Sequence, residues 1–163
     1  MQSYNILFLC THNSARSVLG EMVATLHSKG RLVGYSAGST PRGQVHPLAV
    51  ELAQQMGYPL EKLISKSWDV FAKPDAPQMD FIVTVCDNAA GEVCPIWPGH
   101  PATAHWGFAD PSAIEGTDED RRRAFREVMI GLQKRIELLA DLPLETLDQL
   151  SRKAELQAIH RQL

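Results

Sequence analysis

The sequence lacks any long apolar run and any leader-like N-terminus. No apolar segment reaches the roughly 18 residues that a membrane-spanning helix needs. The chain enters the strand-like segment 4–9 directly, without a basic stretch, an apolar stretch and a small-residue cleavage site. We therefore expect a cytoplasmic protein that does not associate with membranes.

A basic surplus is also missing. The 16 Lys and Arg residues and the 19 Asp and Glu residues give a formal net charge of -3, whereas nucleic-acid-binding domains usually carry a net positive charge. This balance argues against a nucleic-acid partner. It does not prevent a local basic pocket from binding one small anion.

Cysteine is scarce and odd in number. The three cysteines, Cys10, Cys86 and Cys94, cannot all pair in a closed disulfide framework. They form no Cys-x-x-Cys pair, and too few other ligands lie nearby for a structural zinc site. We therefore predict no bound metal. In a reducing compartment, such cysteines are more often buried or catalytic than disulfide-bonded.

The hydrophobic pattern alternates between strands and helices along a chain whose 163 residues suit one domain. Short apolar segments predict strands over 4–9, 31–37 and 80–86 and near 103–106, and apolar residues at helical spacing predict helices over 17–26, 46–56 and 118–140. This order is typical of an α/β sandwich with a mostly parallel sheet. Pro143 interrupts the pattern, and we expect a last helix over 144–163, outside a core of residues 4–140.

The main chemical motif lies between the first strand and the first helix, over residues 10–17. A loop in this position can direct backbone N–H groups and the positive end of a helix dipole at an oxyanion. The predicted anion-binding residues are Thr11, His12, Asn13, Ser14, Ala15 and Arg16. The guanidinium of Arg16 can hold two anion oxygens. The same donors stabilise the thiolate form of Cys10, which makes it a candidate nucleophile, and Ser17 can hydrogen-bond its sulfur.

A nucleophile that attacks a tetrahedral oxyanion needs an acid for the leaving oxygen. Asp110 is the candidate, because it lies in a loop after the last predicted strand and Pro111 stiffens that loop. The alternative is a simple turn, where Asp-Pro is also common.

Three stretches together, residues 10–17, 85–95 and 105–111, make the chain similar to the low-molecular-weight protein tyrosine phosphatases. The sequence resembles more closely the arsenate reductases built on that fold, over roughly residues 4–140. The resemblance implies a three-layer sandwich with a four-stranded parallel sheet and the anion site at the carboxyl ends of the strands.

The resemblance also implies a role for each thiol. Cys10 would form an adduct with arsenate, held by Arg16, while Asp110 acts as the general acid. Cys86 would attack Cys10 and release arsenite, and Cys94 would then attack Cys86. One disulfide supplies the two electrons that reduction of As(V) to As(III) requires. No tightly bound cofactor is implied, and thioredoxin, or glutathione with glutaredoxin, would transiently supply electrons to a monomer.

Two alternatives remain open. A phosphatase would need only Cys10, Asp110 and water; however, Ser112 and Ala113 stand where tyrosine phosphatases typically present an aromatic pair. A non-catalytic redox or anion sensor would use the loop for binding alone. Some relatives bind potassium, and Asn13, Glu21 and Ser36 match that site, but Ser65 replaces the expected acidic ligand.

Overall fold

The parallel sheet is built around the most apolar segment of the chain. The computed structural model describes residues 2–86 and 99–163. Its strands are β1 (Tyr4–Cys10), β2 (Leu32–Gly38), β3 (Phe81–Thr84) and β4 (Ala102–His105). They form one sheet in the order β2-β1-β3-β4 with every pair parallel. Central β1 is buried on both faces, which explains its nearly continuous apolar sequence. The predicted α/β class and four-stranded parallel sheet are confirmed.

Alternate side chains of β1 enter two different cores, as the period of a strand requires. Ile6 and Phe8 join the large core formed with the helices, whereas Leu7 and Leu9 pack in a smaller cluster that includes Phe71. The helices are α1 (Arg16–Leu26), α2 (Pro47–Met56), α3 (Asp118–Ala140) and α4 (Gln149–Gln162), and short 3-10 helices span Leu60–Lys62, Trp68–Phe71, Pro111–Ala113 and Leu144–Thr146. None of the described helices is long and apolar enough to cross a bilayer.

The last helix is shorter than the sequence predicts. Residues Leu144–Thr146 form a separate 3-10 turn, and α4 begins only at Gln149. The cause is Asp148, whose side chain accepts a hydrogen bond of 2.7 Å from the N–H of Ser151 and so caps the new helix. The predicted start at Leu144 is therefore wrong.

Candidate active site

The loop over residues 10–17 leaves the carboxyl end of β1 and leads into α1. Asn13 has a φ of 48°, in the left-handed region that Asn tolerates better than most residues. The neighbouring strand ends at Gly38, where an added Cβ would lie 2.6 Å from the carbonyl oxygen of Thr11 and 2.9 Å from the amide nitrogen of Asn13. The loop thus lies directly against the β2 backbone.

Cys10 lies in a polar environment although its side chain is only 4% exposed. Its Sγ is 2.9 Å from the Oγ of Ser17 and accepts the backbone N–H of Asn13 at 3.2 Å. The side-chain amide of Asn13 donates to the Ser17 Oγ at 2.9 Å. Because that oxygen already accepts a hydrogen bond, the Ser17 hydroxyl hydrogen is free to point at the sulfur.

A buried charged cluster supports this loop from behind. The carboxylate of Glu21, 5% exposed, accepts hydrogen bonds from Ser36 at 2.6 Å and from Tyr58 at 2.5 Å, and the ammonium of Lys66 lies 4.0 Å away. Burial and the neighbouring carboxylate raise the pKa of Tyr58, and burial lowers the pKa of Lys66. The backbone N–H of Lys66 donates to the Asn13 side-chain oxygen at 2.9 Å.

Two of the three residues that the sequence analysis compared with a potassium site, Glu21 and Ser36, belong to this cluster, and Asn13 contacts it through Lys66. Glu21 and Ser36 are hydrogen-bonded to each other, whereas Ser65 donates instead to the carbonyl oxygen of His12 at 3.0 Å. The described residues contain no group of three or more His, Cys, Asp or Glu side chains that could hold a metal ion.

Arg16 and Asp110 face each other across the loop. One terminal nitrogen of Arg16 donates to the carbonyl oxygen of Phe108 at 2.8 Å, and the other lies 3.8 Å from the Asp110 carboxylate. Asp110 also accepts the backbone N–H and the hydroxyl of Ser112 at 2.9 and 2.7 Å. Burial would raise the pKa of Asp110, but the Ser112 hydrogen bonds, with Arg16 and Arg42 nearby, outweigh it and lower the pKa. Asp110 is therefore held as a carboxylate.

Most of the predicted site residues line one small depression. Its lining comprises Cys10, His12, Ser14, Ala15, Arg16, Arg42, Asp110 and Ser112. His12 is solvent-exposed at the rim. Asn13 and Ser17 lie behind Cys10 and are fully buried. A larger surface groove between residues 26–29 and 137–141 contains none of these residues, so size alone does not locate the chemistry.

The second predicted thiol lies against the same loop. Cys86 follows β3, the sheet neighbour of β1, and is 3% exposed. The backbone N–H of Thr11 donates to the Cys86 Sγ at 3.3 Å, and the Thr11 hydroxyl is 3.6 Å from that sulfur. Cys10 and Cys86 are both free thiols. Cys94 lies outside the described residues.

Three residues at or behind the site escaped the sequence analysis. Arg42 lies in an irregular loop, and its backbone N–H donates to the His12 carbonyl oxygen at 3.1 Å. Phe108 contributes only its backbone to Arg16, and Lys66 supports Asn13 through its amide. No hydrophobic periodicity marks any of these three residues. The sequence shows only that Arg42 stands between Pro41 and Gly43, in a segment typical of a loop.

The chain is similar to known proteins in both sequence and fold. The family described as low molecular weight phosphotyrosine protein phosphatase matches residues 5–155. The arsenate reductase of Halalkalibacterium halodurans is 37% identical over 136 residues, which cover 83% of this chain and 94% of that protein. The chain belongs to the low molecular weight phosphotyrosine protein phosphatase family.

Two solved structures share the fold. The arsenate reductase of Archaeoglobus fulgidus has a TM-score of 0.61 at 23% identity, over 84% of this chain and 99% of that one. The thioredoxin-dependent arsenate reductase of Corynebacterium glutamicum has a TM-score of 0.55 at 24% identity, over 83% of this chain and 59% of that one.

Proposed function

We propose that this protein is an arsenate reductase in which Cys10, Cys86 and Cys94 act in succession. The observation that carries the proposal is the hydrogen bond from Thr11, inside the anion loop, to the Cys86 sulfur at 3.3 Å. Hydrolysis of a phosphate ester by Cys10 and Asp110 does not require a second thiol at this place. The name of the 37% identical relative supports the same reaction.

The first step is attack by the Cys10 thiolate on arsenic. An As–S bond forms and an As–O bond breaks, and the departing oxygen needs a proton. Asp110 supplies it, although its pKa is lowered by Ser112, Arg16 and Arg42 against the effect of burial. A bound oxyanion would offset the two cations and so favour protonation of Asp110. Ser17 stabilises the sulfur through the contact at 2.9 Å.

The second step is attack by the Cys86 thiolate on the Cys10 sulfur. A disulfide forms, the electron pair of the As–S bond stays on arsenic, and As(V) leaves as As(III). Two thiolate sulfurs thereby lose the two electrons that arsenic gains. The Thr11 N–H stabilises and orients the attacking sulfur anion.

The third step transfers the disulfide outward. Cys94 attacks the Cys86 sulfur, frees Cys10, and leaves a Cys86–Cys94 disulfide for an external thiol reductant. The thioredoxin dependence stated for the Corynebacterium glutamicum protein favours thioredoxin, and glutathione with glutaredoxin is the alternative. The cycle restarts only from reduced thiols, which favours the cytoplasm. We expect a monomer, because one chain carries all three thiols.

An arsenate reduction assay with each cysteine replaced by serine tests the relay. Cys10→Ser should abolish reduction, and Cys86→Ser should release no arsenite. Cys94→Ser should complete one turnover and stop as a Cys10–Cys86 disulfide, visible by mass spectrometry as the loss of two hydrogens. Parallel assays with thioredoxin and with glutathione plus glutaredoxin identify the reductant. Normal multiple turnover by both Cys86→Ser and Cys94→Ser would disprove the relay.

Phosphate ester hydrolysis is the second candidate, because the family is one of phosphatases. Cys10 and Asp110 suffice for it. Among the described residues, the depression is lined by Arg42 and Ser112 and by no Phe, Tyr or Trp that could hold a phenol ring. We therefore expect only slow aryl phosphate hydrolysis. Vigorous hydrolysis that survives Cys86→Ser would favour the phosphatase instead.

A further inference from the structure

The C-terminal helix α4 contacts the loop from β4 to Asp110 at two points. The fully buried indole of Trp106 donates its N–H to the carbonyl oxygen of Leu156 at 3.0 Å. Two residues later, the ring of Phe108 lies edge-on to the ring of His160, with centroids 6.2 Å apart. One helix therefore holds both aromatic residues of this loop.

Arg135 of α3 joins His160 to Phe108. Its Nε donates to the Nδ1 of His160 at 3.0 Å, and its guanidinium carbon lies 4.8 Å from the centroid of the Phe108 ring. Arg135 is 8% exposed, yet no described carboxylate forms an ion pair with it. A buried charge without an acid partner is costly. In the part of the chain that the structure describes, its partners are the Phe108 ring, the His160 imidazole and the Gly131 carbonyl oxygen at 2.8 Å.

Phe108 transmits this contact to the anion site. Its ring packs on the α3 backbone, since a Cβ added at Gly131 would lie 2.8 Å from a ring carbon. Its backbone N–H donates to Val85 at 3.0 Å, and its carbonyl oxygen accepts the Arg16 guanidinium at 2.8 Å. The ring that packs on α3 and the carbonyl group that accepts the Arg16 guanidinium thus belong to the same residue.

We propose that Arg135 and His160 are positioning residues of the oxyanion site, which hold Arg16 in its anion-binding orientation through Phe108. The proposal rests on the proposed function only in taking Arg16 as an oxyanion ligand. It gives α4, which contributes no residue to the depression, a part in substrate binding.

The test measures binding of inorganic phosphate by calorimetry together with the thermal midpoint. In Arg135→Met we expect the Kd for phosphate to rise about tenfold. The thermal midpoint should change little, because Arg135 has no described acidic partner whose charge its loss would leave buried and unpaired. His160→Leu should weaken binding in the same direction. Lys153→Ala, an exposed change on α4, is the matched control and should alter neither quantity.

The double variant tests whether the two residues act as one unit. If they do, Arg135→Met with His160→Leu weakens binding no more than Arg135→Met alone. If Arg135→Met binds phosphate with the wild-type Kd, the inference is overturned and the proposed function stays intact. If Arg135→Met does not fold, the same result in His160→Leu overturns the inference. Failure of the wild-type protein to bind phosphate would overturn the anion site, and with it both proposals.

Discussion

A single residue, Asn13, joins the nucleophile to the protein interior. Its backbone N–H contacts the Cys10 sulfur, its side-chain nitrogen contacts Ser17, and its side-chain oxygen accepts the Lys66 N–H. These contacts require the left-handed backbone at φ 48°, which Asn adopts more readily than Gln or Leu. The Asn13 side chain therefore fixes the loop both to its own residue Ser17 and to Lys66 outside it.

The buried carboxylate of Glu21, behind Asn13, leads to a prediction for the stability of the fold. Tyr58→Phe removes a hydrogen bond of 2.5 Å to the buried Glu21 carboxylate. We expect a loss of ~1–3 kcal/mol in the free energy of unfolding, measured by urea denaturation, because hydrogen bonds to buried charges are costly to remove.

Tyr35→Phe is the matched control, also a tyrosine near Glu21. Its ring packs on Phe71 with centroids 5.5 Å apart, and no hydrogen bond joins its hydroxyl to the carboxylate. We expect a change below ~0.5 kcal/mol. Equal losses in both variants would contradict a specific role for the Tyr58 hydroxyl.

Individual site residues were predictable where the signal is local. Cys10, Arg16 and Ser17 stand within eight positions of one another between a strand and a helix, so their grouping follows from the sequence. Arg135 and His160 belong to different helices, and only the packing of those helices brings them to Phe108. A lone buried Arg has no pattern that sequence reasoning can detect.

At the scale of elements, local caps decided which boundaries were predictable. Helix α3 begins at Asp118 as predicted, because Thr117 and Asp120 form a reciprocal capping box. The region after Pro143 also carries helix-forming residues, but Asp148 starts the helix later than hydrophobic spacing suggests. The Asp148 cap thus sets a boundary that hydrophobic spacing alone does not reveal.

The contact between β2 and the anion loop leads to an element-scale prediction. Gly38→Ala would place a Cβ 2.6 Å from the Thr11 carbonyl oxygen, a backbone atom that moves only with the loop. We expect the Kd for inorganic phosphate to rise at least ~tenfold and stability to fall by ~1–3 kcal/mol, measured by calorimetry and urea denaturation.

Gly57→Ala separates this effect from an ordinary glycine penalty. Gly57 caps α2 at a φ of 79° with nothing within 4 Å of an added Cβ. The Gly57→Ala substitution should lower the free energy of unfolding by ~1 kcal/mol through backbone strain alone and leave phosphate binding unchanged. Wild-type phosphate affinity in Gly38→Ala would show that the loop accommodates the methyl group.

At the scale of the whole molecule, topology assembles the site. Cys10 ends β1, Cys86 follows β3, and the loop to Asp110 follows β4. These three strands are consecutive in the sheet. Since parallel strands end at one edge, residues about a hundred positions apart meet there. The family resemblance implied a site at the carboxyl ends of the strands, whereas nothing in the sequence pointed to a part for α4.

Stability of the whole fold should depend on pH through His46 and His160. Burial is the main cause that lowers the pKa of each below 6.5; for His46, Asp110 opposes it, and for His160, Arg135 and His105 add to it. In both rings Nδ1 accepts a hydrogen bond, from the Leu48 N–H at 3.1 Å and from the Arg135 Nε at 3.0 Å. A doubly protonated imidazole cannot accept either bond.

The sign of the dependence follows from proton uptake. The unfolded chain binds these protons near pH 6.5 and the folded chain only at lower pH, so acid favours unfolding below that value. Urea denaturation from about pH 8 to about pH 5 should show constant stability above the ordinary histidine pKa and a decline beneath it. His46→Asn keeps a side-chain oxygen for the helix cap and should reduce the slope, whereas exposed His100→Asn should not. The proposed decline in stability comes only from protonation of His46 and His160. If neither His46→Asn nor His160→Leu changes the slope of stability against pH, other groups take up the protons.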